Sequence, residues 1–265
     1  MSNYHIKNLE EYFQIYRKSV RNPEGFWEEI AEEHFQWRRR WDNVLSWDFE
    51  KPEVKWFEGA QLNISENCID RHLYTRADKT AILFEPNDPN ESAQHISYRL
   101  LHTEVSKMAN VLKSQGVKKG DRVCIYLPMI PELAYTVLAC ARIGAILSVV
   151  FAGFSSTALA TRINDCDATL VVTSDGSYRG NKTIDLKKIV DQALEQCPQV
   201  STVLVAERTK TEVTMIEGRD KWLAPLTEAA SDDCPVEIME AEDPLFILYT
   251  SGSTGKPKGM VHSSA

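Results

Sequence analysis

The sequence predicts an α/β fold: a mostly parallel sheet with flanking helices. From residue 80 onwards, short apolar runs alternate with helical patterns of about ten to thirteen residues, as in consecutive βαβ units. Residues 145–150 are continuously apolar, as in a strand that is buried on both faces. Gly116 and Gly144 follow helical stretches, where glycine commonly ends a helix. Together these observations favour βαβ units over an all-β or all-α arrangement.

The first half of this region begins with two strands at residues 80–85 and 95–98, joined by a polar loop. The helix that follows has one apolar face, made by Leu101, Val105, Met108 and Leu112. A strand is predicted at residues 122–127. Pro131 then suits the first turn of the next helix, because this turn has no intrahelical use for the missing amide hydrogen. We expect that helix to bury Leu133, Ala134, Val137, Leu138 and Ala141.

The second half continues the alternation. Its predicted elements are a strand at 145–150, a helix at 155–165, a strand at 168–173, a helix at 186–196 and a strand at 200–206. Residues 207–242 are polar and contain two prolines, so we expect an irregular connection with a short helix near 226–230.

The N-terminal part has a different composition. Five of the six tryptophans lie within residues 1–56. We expect this segment to be mostly helical, with one helix running from Pro23 to about Arg40. It is too short to form a compact core of its own, so its indoles are expected to cover a larger domain. The predicted organisation is a helical extension at residues 1–75, followed by the α/β domain at 76–265.

Composition and charge exclude several classes of protein. Lys and Arg number 30 against 38 Asp and Glu, a net charge of −8 that argues against nucleic acid as a partner. Residues 133–154 carry one charge, Arg142. That charge would lie near the centre of a membrane span, at a cost of about 3 kcal/mol, so we favour a buried helix and strand. No membrane association is expected.

Cysteine and histidine spacing gives no sign of a metal site. The closest pair of the six cysteines is 16 residues apart, and the six histidines have no ligand spacing. The N-terminal residues lack the apolar core of a signal peptide. We therefore expect a reduced protein in the cytoplasm, with no metal-ligating residue in the chain.

The most informative stretch is residues 249–259, YTSGSTGKPKG, which holds four Ser/Thr hydroxyls, three glycines and two lysines. Apolar runs on either side predict a strand, a glycine-rich loop and a strand. Glycines let a ligand approach backbone amides, while hydroxyls and lysines offer donors to phosphate oxygens. A Walker A loop is excluded because Thr250 replaces its first glycine and Pro257 follows Lys256. The residues alone leave a polyphosphate loop and a flexible surface hairpin open.

With Asp243-Pro244 before it, this run resembles the signature loop of the adenylate-forming superfamily, which includes acyl-CoA synthetases, luciferases and peptide-synthetase adenylation domains. The resemblance implies a loop that holds the β- and γ-phosphates of ATP while a carboxylate attacks the α-phosphate. The residues that it assigns to phosphate contacts are Thr250, Ser251, Gly252, Ser253, Thr254, Gly255, Lys256 and Lys258. Residues 56–72, WFEGAQLNISENCIDRH, are similar to the entry segment of the acetyl-CoA synthetase branch.

Two further segments resemble coenzyme A contacts of that branch. Residues 151–155, FAGFS, follow a predicted strand at the carboxyl edge of the sheet, where α/β proteins bind ligands. They are similar to the FGGFS turn beside the pantetheine arm, which implicates Phe151 and Gly153 in CoA binding; Ala152 stands in place of a glycine. Residues 178–182 resemble the RGGK-type segment near the adenosine 3′-phosphate. That second resemblance implicates Arg179, Gly180, Asn181 and Lys182.

The turn at residues 178–182 also has an interpretation without a binding role. Without the resemblance, a solvent-exposed basic turn explains it better. Asn181 departs from the usual glycine, but asparagine tolerates a left-handed backbone better than most residues.

The resemblance implies an AMP-forming acetate–CoA ligase that uses ATP, CoA and acetate with Mg²⁺. The chain is expected to be an N-terminal fragment without a catalytic residue, because the adenylation lysine of the family lies beyond residue 265. A propionate or acetoacetate ligase of the same family is the first alternative. A non-catalytic remnant that binds nucleotide or CoA is the second.

Overall fold

A computed structural model describes residues 6–251 and 255–264. The chain divides into two compact units. The smaller contains the residues up to Leu62 together with residues 240–242, and the larger contains Asn63–Met239 and Asp243–Ser264. Gly252, Ser253 and Thr254 of the predicted phosphate loop lie outside the described residues.

The smaller unit begins with helices α1 (Leu9–Arg21) and α2 (Pro23–His34). The strands β1 (Asn43–Asp48), β2 (Glu53–Glu58) and β3 (Gln61–Leu62) follow. The prediction of a mostly helical segment is therefore wrong beyond His34, because β1 and β2 pair as an antiparallel hairpin. Both strands contain valine and aromatic residues, which favour strands.

The tryptophans of this unit pack on one another and on Phe57. The ring of Trp41 lies 5.0 Å from that of Phe57 and 5.2 Å from that of Trp37, between centroids. The indole of Trp37 also donates to the carbonyl of Ala31 at 3.0 Å. With Val44 and the neighbouring alanines they form a small cluster. The expectation that this segment has no core of its own is thus wrong. Its large aromatic side chains bury enough area to form a small core, although the segment is short.

The larger unit contains the sheet. Its elements are a π-helical turn (Glu66–Asp70), α3 (Arg71–Arg76), β4 (Thr80–Phe84), β5 (Gln94–Ser97), α4 (Tyr98–Ser114), β6 (Arg122–Tyr126), α5 (Pro131–Arg142), β7 (Ile146–Val149), α6 (Ser156–Cys166), β8 (Leu170–Ser174), β9 (Ser177–Arg179), β10 (Lys182–Ile184), α7 (Leu186–Leu194), β11 (Thr202–Ala206), β12 (Asp220–Trp222), α8 (Leu223–Ala229), β14 (Pro244–Thr250) and β15 (Lys258–Ser263). The short strand β13 (Met239–Glu240) has Met239 in the larger unit and Glu240 in the smaller.

Seven strands form one sheet in the order β12-β11-β8-β6-β7-β14-β15. All neighbours are parallel except β14 and β15, which pair antiparallel. This confirms the predicted α/β class. Strand β12 differs from the prediction, because it lies inside the stretch that was expected to be irregular. Its three residues carry no periodic pattern, and it forms by pairing with β11.

Helix α5 buries a different face from the predicted one. Thr136, Ala139, Cys140 and Arg142 are buried with Ala141, while the other four residues of the expected stripe are half-buried. The reason is Arg142, which is 4% exposed and donates to the Asp70 carboxylate at 2.8 and 3.0 Å. Within residues 6–251 and 255–264, no helix is long and apolar enough to cross a membrane.

Candidate functional site

The predicted phosphate loop connects the two strands at the end of the sheet. Thr250 pairs with Lys258 and Tyr249 with Gly259, so the flanks of the loop form an antiparallel ladder. The side chains of Thr250, Ser251, Lys256 and Lys258 are exposed. Gly255 has a φ of +81°, which an L-residue adopts only with strain. Both lysines and two of the predicted hydroxyls are thus accessible at one end of the hairpin.

The same edge of the sheet carries the predicted turn at residues 151–155. Strands β7 and β14 are parallel, with Phe246 opposite Leu147 and Ile247 opposite Ser148. Continuing this register brings Thr250 level with Phe151. The phosphate hairpin and the turn therefore leave the sheet side by side at its carboxyl edge, where ligands bind in folds of this type.

The turn is built around the ring of Phe151, which is 68% exposed. A Cβ on Gly153 would lie 2.5 Å from this ring, so any larger residue would displace it. The Phe154 amide donates to the Phe151 carbonyl at 3.0 Å, and the two rings meet edge to face at 5.7 Å. Ala152 is not among the residues with positive φ, so its Cβ is accommodated as expected.

The basic segment forms the tip of a second hairpin, between β9 and β10. Arg179 pairs with Lys182, and Gly180 and Asn181 make the two-residue loop. All four residues are exposed. The left-handed residue is Gly180, with a φ of +58°, rather than Asn181, so the asparagine meets no backbone strain here. This hairpin follows β8, whose carboxyl end lies at the same edge of the sheet.

A cleft of about 530 Å³ brings part of these segments together. It is lined by Phe151, Gly153 and Arg179 among the predicted residues. Gly180, Asn181 and Lys182 do not line it. An apolar wall with arginine side chains beside it suits a ligand that combines a flexible arm with an anionic group.

The structure adds residues to this cleft that the sequence did not single out, chiefly Tyr178 and Arg208. The guanidinium of Arg208 lies 5.2 Å from the Tyr178 ring centroid and 5.8 Å from that of Phe84. It also forms an ion pair with Glu91 at 3.0 Å. Arg208 follows β11 at the carboxyl edge, so the rule that found residues 151–155 could have found it too.

One buried carboxylate, that of Asp175, connects two of these segments. Asp175 is fully buried, and its oxygens accept from the backbone amides of Gly176, Arg208, Thr209 and Thr211 at 2.7 to 3.2 Å. These bonds tie the start of the β9–β10 hairpin to the segment that carries Arg208. This role could not be predicted from the sequence, because the partners of Asp175 lie up to 36 residues away.

Tyr249, which precedes Thr250, is anchored on α6. Its hydroxyl donates to Asp165 Oδ2 at 2.8 Å. Burial and the neighbouring Asp165 carboxylate raise the pKa of Tyr249 well above its ordinary value, so the hydroxyl remains a neutral donor. A Cβ on Gly259 would approach the Tyr249 ring and Asp165 at 3.2 and 3.3 Å. The last glycine of the motif thus makes room for the tyrosine that anchors the strand.

Metal-binding chemistry has no counterpart in the part of the chain that the structure describes. There, no three His, Cys, Asp or Glu side chains are grouped closely enough to hold an ion. The six cysteines are free thiols, and five of them are buried.

Comparison with known proteins defines the class first. The sequence pattern of AMP-binding enzymes matches residues 69–265, so the chain belongs to the AMP-binding enzyme family. The pattern described as the acetyl-coenzyme A synthetase N-terminus matches residues 12–68.

The relatives with high sequence identity are acetyl-coenzyme A synthetases. The chain is 54% identical over 258 residues to acetyl-coenzyme A synthetase of Halorhodospira halophila, and 56% identical over 257 residues to acetyl-coenzyme A synthetase 2 of Pseudomonas aeruginosa. Each alignment covers 97% of this chain and 40% of the relative. The chain therefore spans about 40% of the length of the curated relatives it matches.

Among solved structures, acetoacetyl-CoA synthetase from Streptomyces lividans superposes with a TM-score of 0.85 at 29% identity. The superposition covers 94% of this chain and 37% of the acetoacetyl-CoA synthetase chain.

Proposed function

We propose that this chain is part of an AMP-forming acetate–CoA ligase, and that it supplies the ATP phosphate loop and one side of the CoA site. Acetate and ATP give acetyl-adenylate and pyrophosphate, and the CoA thiol then displaces AMP. The observation that carries the proposal is the common carboxyl edge: the hairpin at Thr250 and the turn at Phe151 emerge from adjacent parallel strands. A site in which one acyl group passes from a phosphate to a thiol requires the two ligands to meet in this way.

The electrostatic problem of the first step is the approach of two anions. Donors that are already oriented in the free protein lower this cost, because they need no reorganisation as charge moves onto the leaving pyrophosphate. Exposed Lys256 and Lys258 can supply positive charge, and Thr250 and Ser251 can supply hydroxyl donors. Gly252, Ser253 and Thr254, outside the described residues, belong to the same proposal through the motif.

For the second step we assign the cleft to the pantetheine arm and the basic hairpin to phosphate groups of CoA. Phe151 and Gly153 form an apolar wall that can guide a flexible chain and exclude water. Arg179 lies where the cleft meets the hairpin, and Gly180, Asn181 and Lys182 continue beyond it. The guanidinium of Arg179 suits bidentate contact with a phosphate.

Magnesium is part of the proposal only as the ion that accompanies ATP. Among the described residues, no group of three His, Cys, Asp or Glu side chains could hold a metal ion. When bound with ATP, the ion would neutralise part of the triphosphate charge.

Acetate-dependent exchange between ATP and pyrophosphate tests the function. In the full-length protein that contains this chain, we expect exchange with acetate, and a loss of at least about tenfold in Lys256→Ala, because one charge at the phosphates is removed. Lys51→Ala is a control, since Lys51 is an exposed lysine in the β1–β2 turn. Wild-type exchange in Lys256→Ala would contradict the phosphate-loop assignment.

Acetoacetate or propionate is the second candidate substrate. The structural similarity to an acetoacetyl-CoA synthetase favours it, although the identity of 29% is lower than that to the acetyl-CoA synthetases. Exchange rates with acetate, propionate and acetoacetate at equal concentration decide between them. Acetate giving the highest kcat/KM supports the first candidate.

A non-catalytic binding module is the candidate of another class. Calorimetric titration of the chain with ATP and with CoA distinguishes it from part of an enzyme. Tight binding of either ligand without exchange in the full-length protein would favour the module. We also propose a cytoplasmic location and ATP, CoA and acetate as the partners, with no nucleic acid among them.

A further inference from the structure

Arg162 lies between the two segments that the proposed function assigns to different ligands. Its guanidinium carbon is 4.6 Å from the centroid of the Phe154 ring and 5.4 Å from that of the Tyr249 ring. Phe154 belongs to the turn at residues 151–155, and Tyr249 is the residue before Thr250. Arg162 is only 8% exposed, although it is charged. One buried cation thus contacts both the proposed CoA turn and the proposed phosphate strand.

The surrounding contacts hold this arrangement from both sides. Nη1 of Arg162 donates to the Ala158 carbonyl at 2.7 Å, which directs the guanidinium along α6. The Phe154 carbonyl accepts from the Tyr126 hydroxyl at 2.7 Å. The Tyr249 hydroxyl donates to Asp165, one turn further along the same helix. Each aromatic ring is therefore fixed at its backbone or hydroxyl, and the cation fills the space between them.

Cation–π contacts are strongest where the cation has lost water, and they depend on the position of the ring face. A shift of either ring moves it off the guanidinium and weakens the contact, so the positions of the two rings are energetically coupled. Phe154 in turn packs edge to face on Phe151, at the cleft. The path from Phe151 through Phe154, Arg162 and Tyr249 to Thr250 is continuous.

We propose that Arg162 is a positioning residue that sets the turn at residues 151–155 and the end of β14 together, so that the CoA and ATP phosphate segments keep one relative geometry. The inference rests on the proposed function for the identity of the two ligands. Arg162 touches neither ligand in this proposal and acts through Phe154 and Tyr249.

The test compares Arg162→Met with wild type in the full-length protein. Methionine keeps much of the side-chain volume and removes the charge and the planar group. Dissociation constants for ATP with Mg²⁺ and for CoA are measured separately by calorimetry, and the melting temperature is recorded. We expect both dissociation constants to rise about tenfold, because contacts to two rings are lost at once.

Arg122→Met is the matched control. Arg122 also contacts the end of α6, because it donates to the carbonyls of Cys166 and Asp167 at 2.9 and 3.1 Å. Unlike Arg162, it makes no cation–π contact with the rings of Phe154 and Tyr249. We expect a lower melting temperature with both dissociation constants unchanged. Equal losses of affinity in the two variants would overturn the inference, because the effect would then come from the position of the helix.

Tyr249→Phe covers the case in which Arg162→Met does not fold. It keeps the ring for the cation and removes the hydroxyl, which contacts Asp165 Oδ2 at 2.8 Å and the Arg162 carbonyl at 3.3 Å. We expect weaker ATP binding, by about threefold, and a smaller loss of CoA affinity, because the contacts of Arg162 pass part of the change to Phe154. Weaker ATP binding with no change for CoA would overturn the inference, because the two segments would then move independently. Absence of acetate-dependent exchange in the wild type would refute the proposed function alone, because the affinities are measured without turnover.

Discussion

Two regions at the same edge of the sheet are held in different ways. The β9–β10 hairpin and the segment with Arg208 are tied to the fully buried carboxylate of Asp175 by backbone amides. The β14–β15 hairpin lies at the end of the sheet, where β15 is exposed for most of its length. Its main anchor toward α6 is the hydroxyl of Tyr249.

The difference separates stability from ligand binding. Substitution of the buried Asp175 should change the free energy of unfolding, because water cannot replace the bonds of its carboxylate. Substitutions in the exposed hairpin should change the reaction more than the stability, because its polar groups stay solvated. Three experiments compare the two regions, from the largest expected effect to the smallest.

Asp175→Ala should have the largest effect. Removing the carboxylate leaves buried amides without acceptors and opens a cavity, and we expect a loss of about 3 kcal/mol in the free energy of unfolding. Urea unfolding of the chain measures it. Asp78→Ala is the control, because Asp78 is an exposed partner of Arg99 and its removal should leave the midpoint unchanged. Equal midpoints for the two variants would mean that the Asp175 carboxylate does not stabilise this region.

Asp70 extends the same comparison to pH. Burial tends to raise its pKa, but hydrogen bonds from His102 and Arg142 outweigh this and lower the pKa to about 2, from an ordinary value of 3.8. The stabilisation is therefore complete above about pH 4 and is lost as the pH falls toward 2; it amounts to about 2 kcal/mol.

The measurement is the difference in unfolding free energy between wild type and Asp70→Asn, at pH 5.5 and at pH 2. We expect this difference to shrink at the lower pH, where Asp70 is protonated in the unfolded chain and about half protonated in the folded protein. A constant difference would mean that the Asp70 carboxylate contributes no pH-dependent stability.

The central parallel strands could be predicted because they are apolar on both faces, and the carboxyl-edge rule then indicated residues 151–155. What could not be predicted depends on distant partners. The buried face of α5 follows from the ion pair between Arg142 and Asp70, 72 residues apart, and β12 forms only beside β11.

The candidate site divides in the same way. Its motif residues could be assigned from the run at 249–259 and its resemblance. The residues that support them could not, because Asp175 and Arg162 act through contacts that only the folded chain creates. In the N-terminal part, the prediction of a mostly helical segment missed β1 and β2, which form by pairing with each other.

The smallest effect on stability, and the sharpest contrast, is expected from two glycines with the same backbone geometry. Gly255 and Gly116 have φ values of +81° and +89°, and a Cβ on either would meet no atom within 4 Å. Alanine at each should therefore cost about 1 kcal/mol of stability, through backbone strain alone. Only Gly255 belongs to the proposed phosphate loop.

We expect Gly255→Ala to lower acetate-dependent exchange about tenfold in the full-length protein, because the strained residue moves the amides and Lys256 away from the phosphates. Gly116→Ala, with the same loss of stability, should exchange at the wild-type rate. Equal rates in the two variants would remove the distinction between the regions, since the loop would then tolerate the same distortion as a helix end far from any ligand.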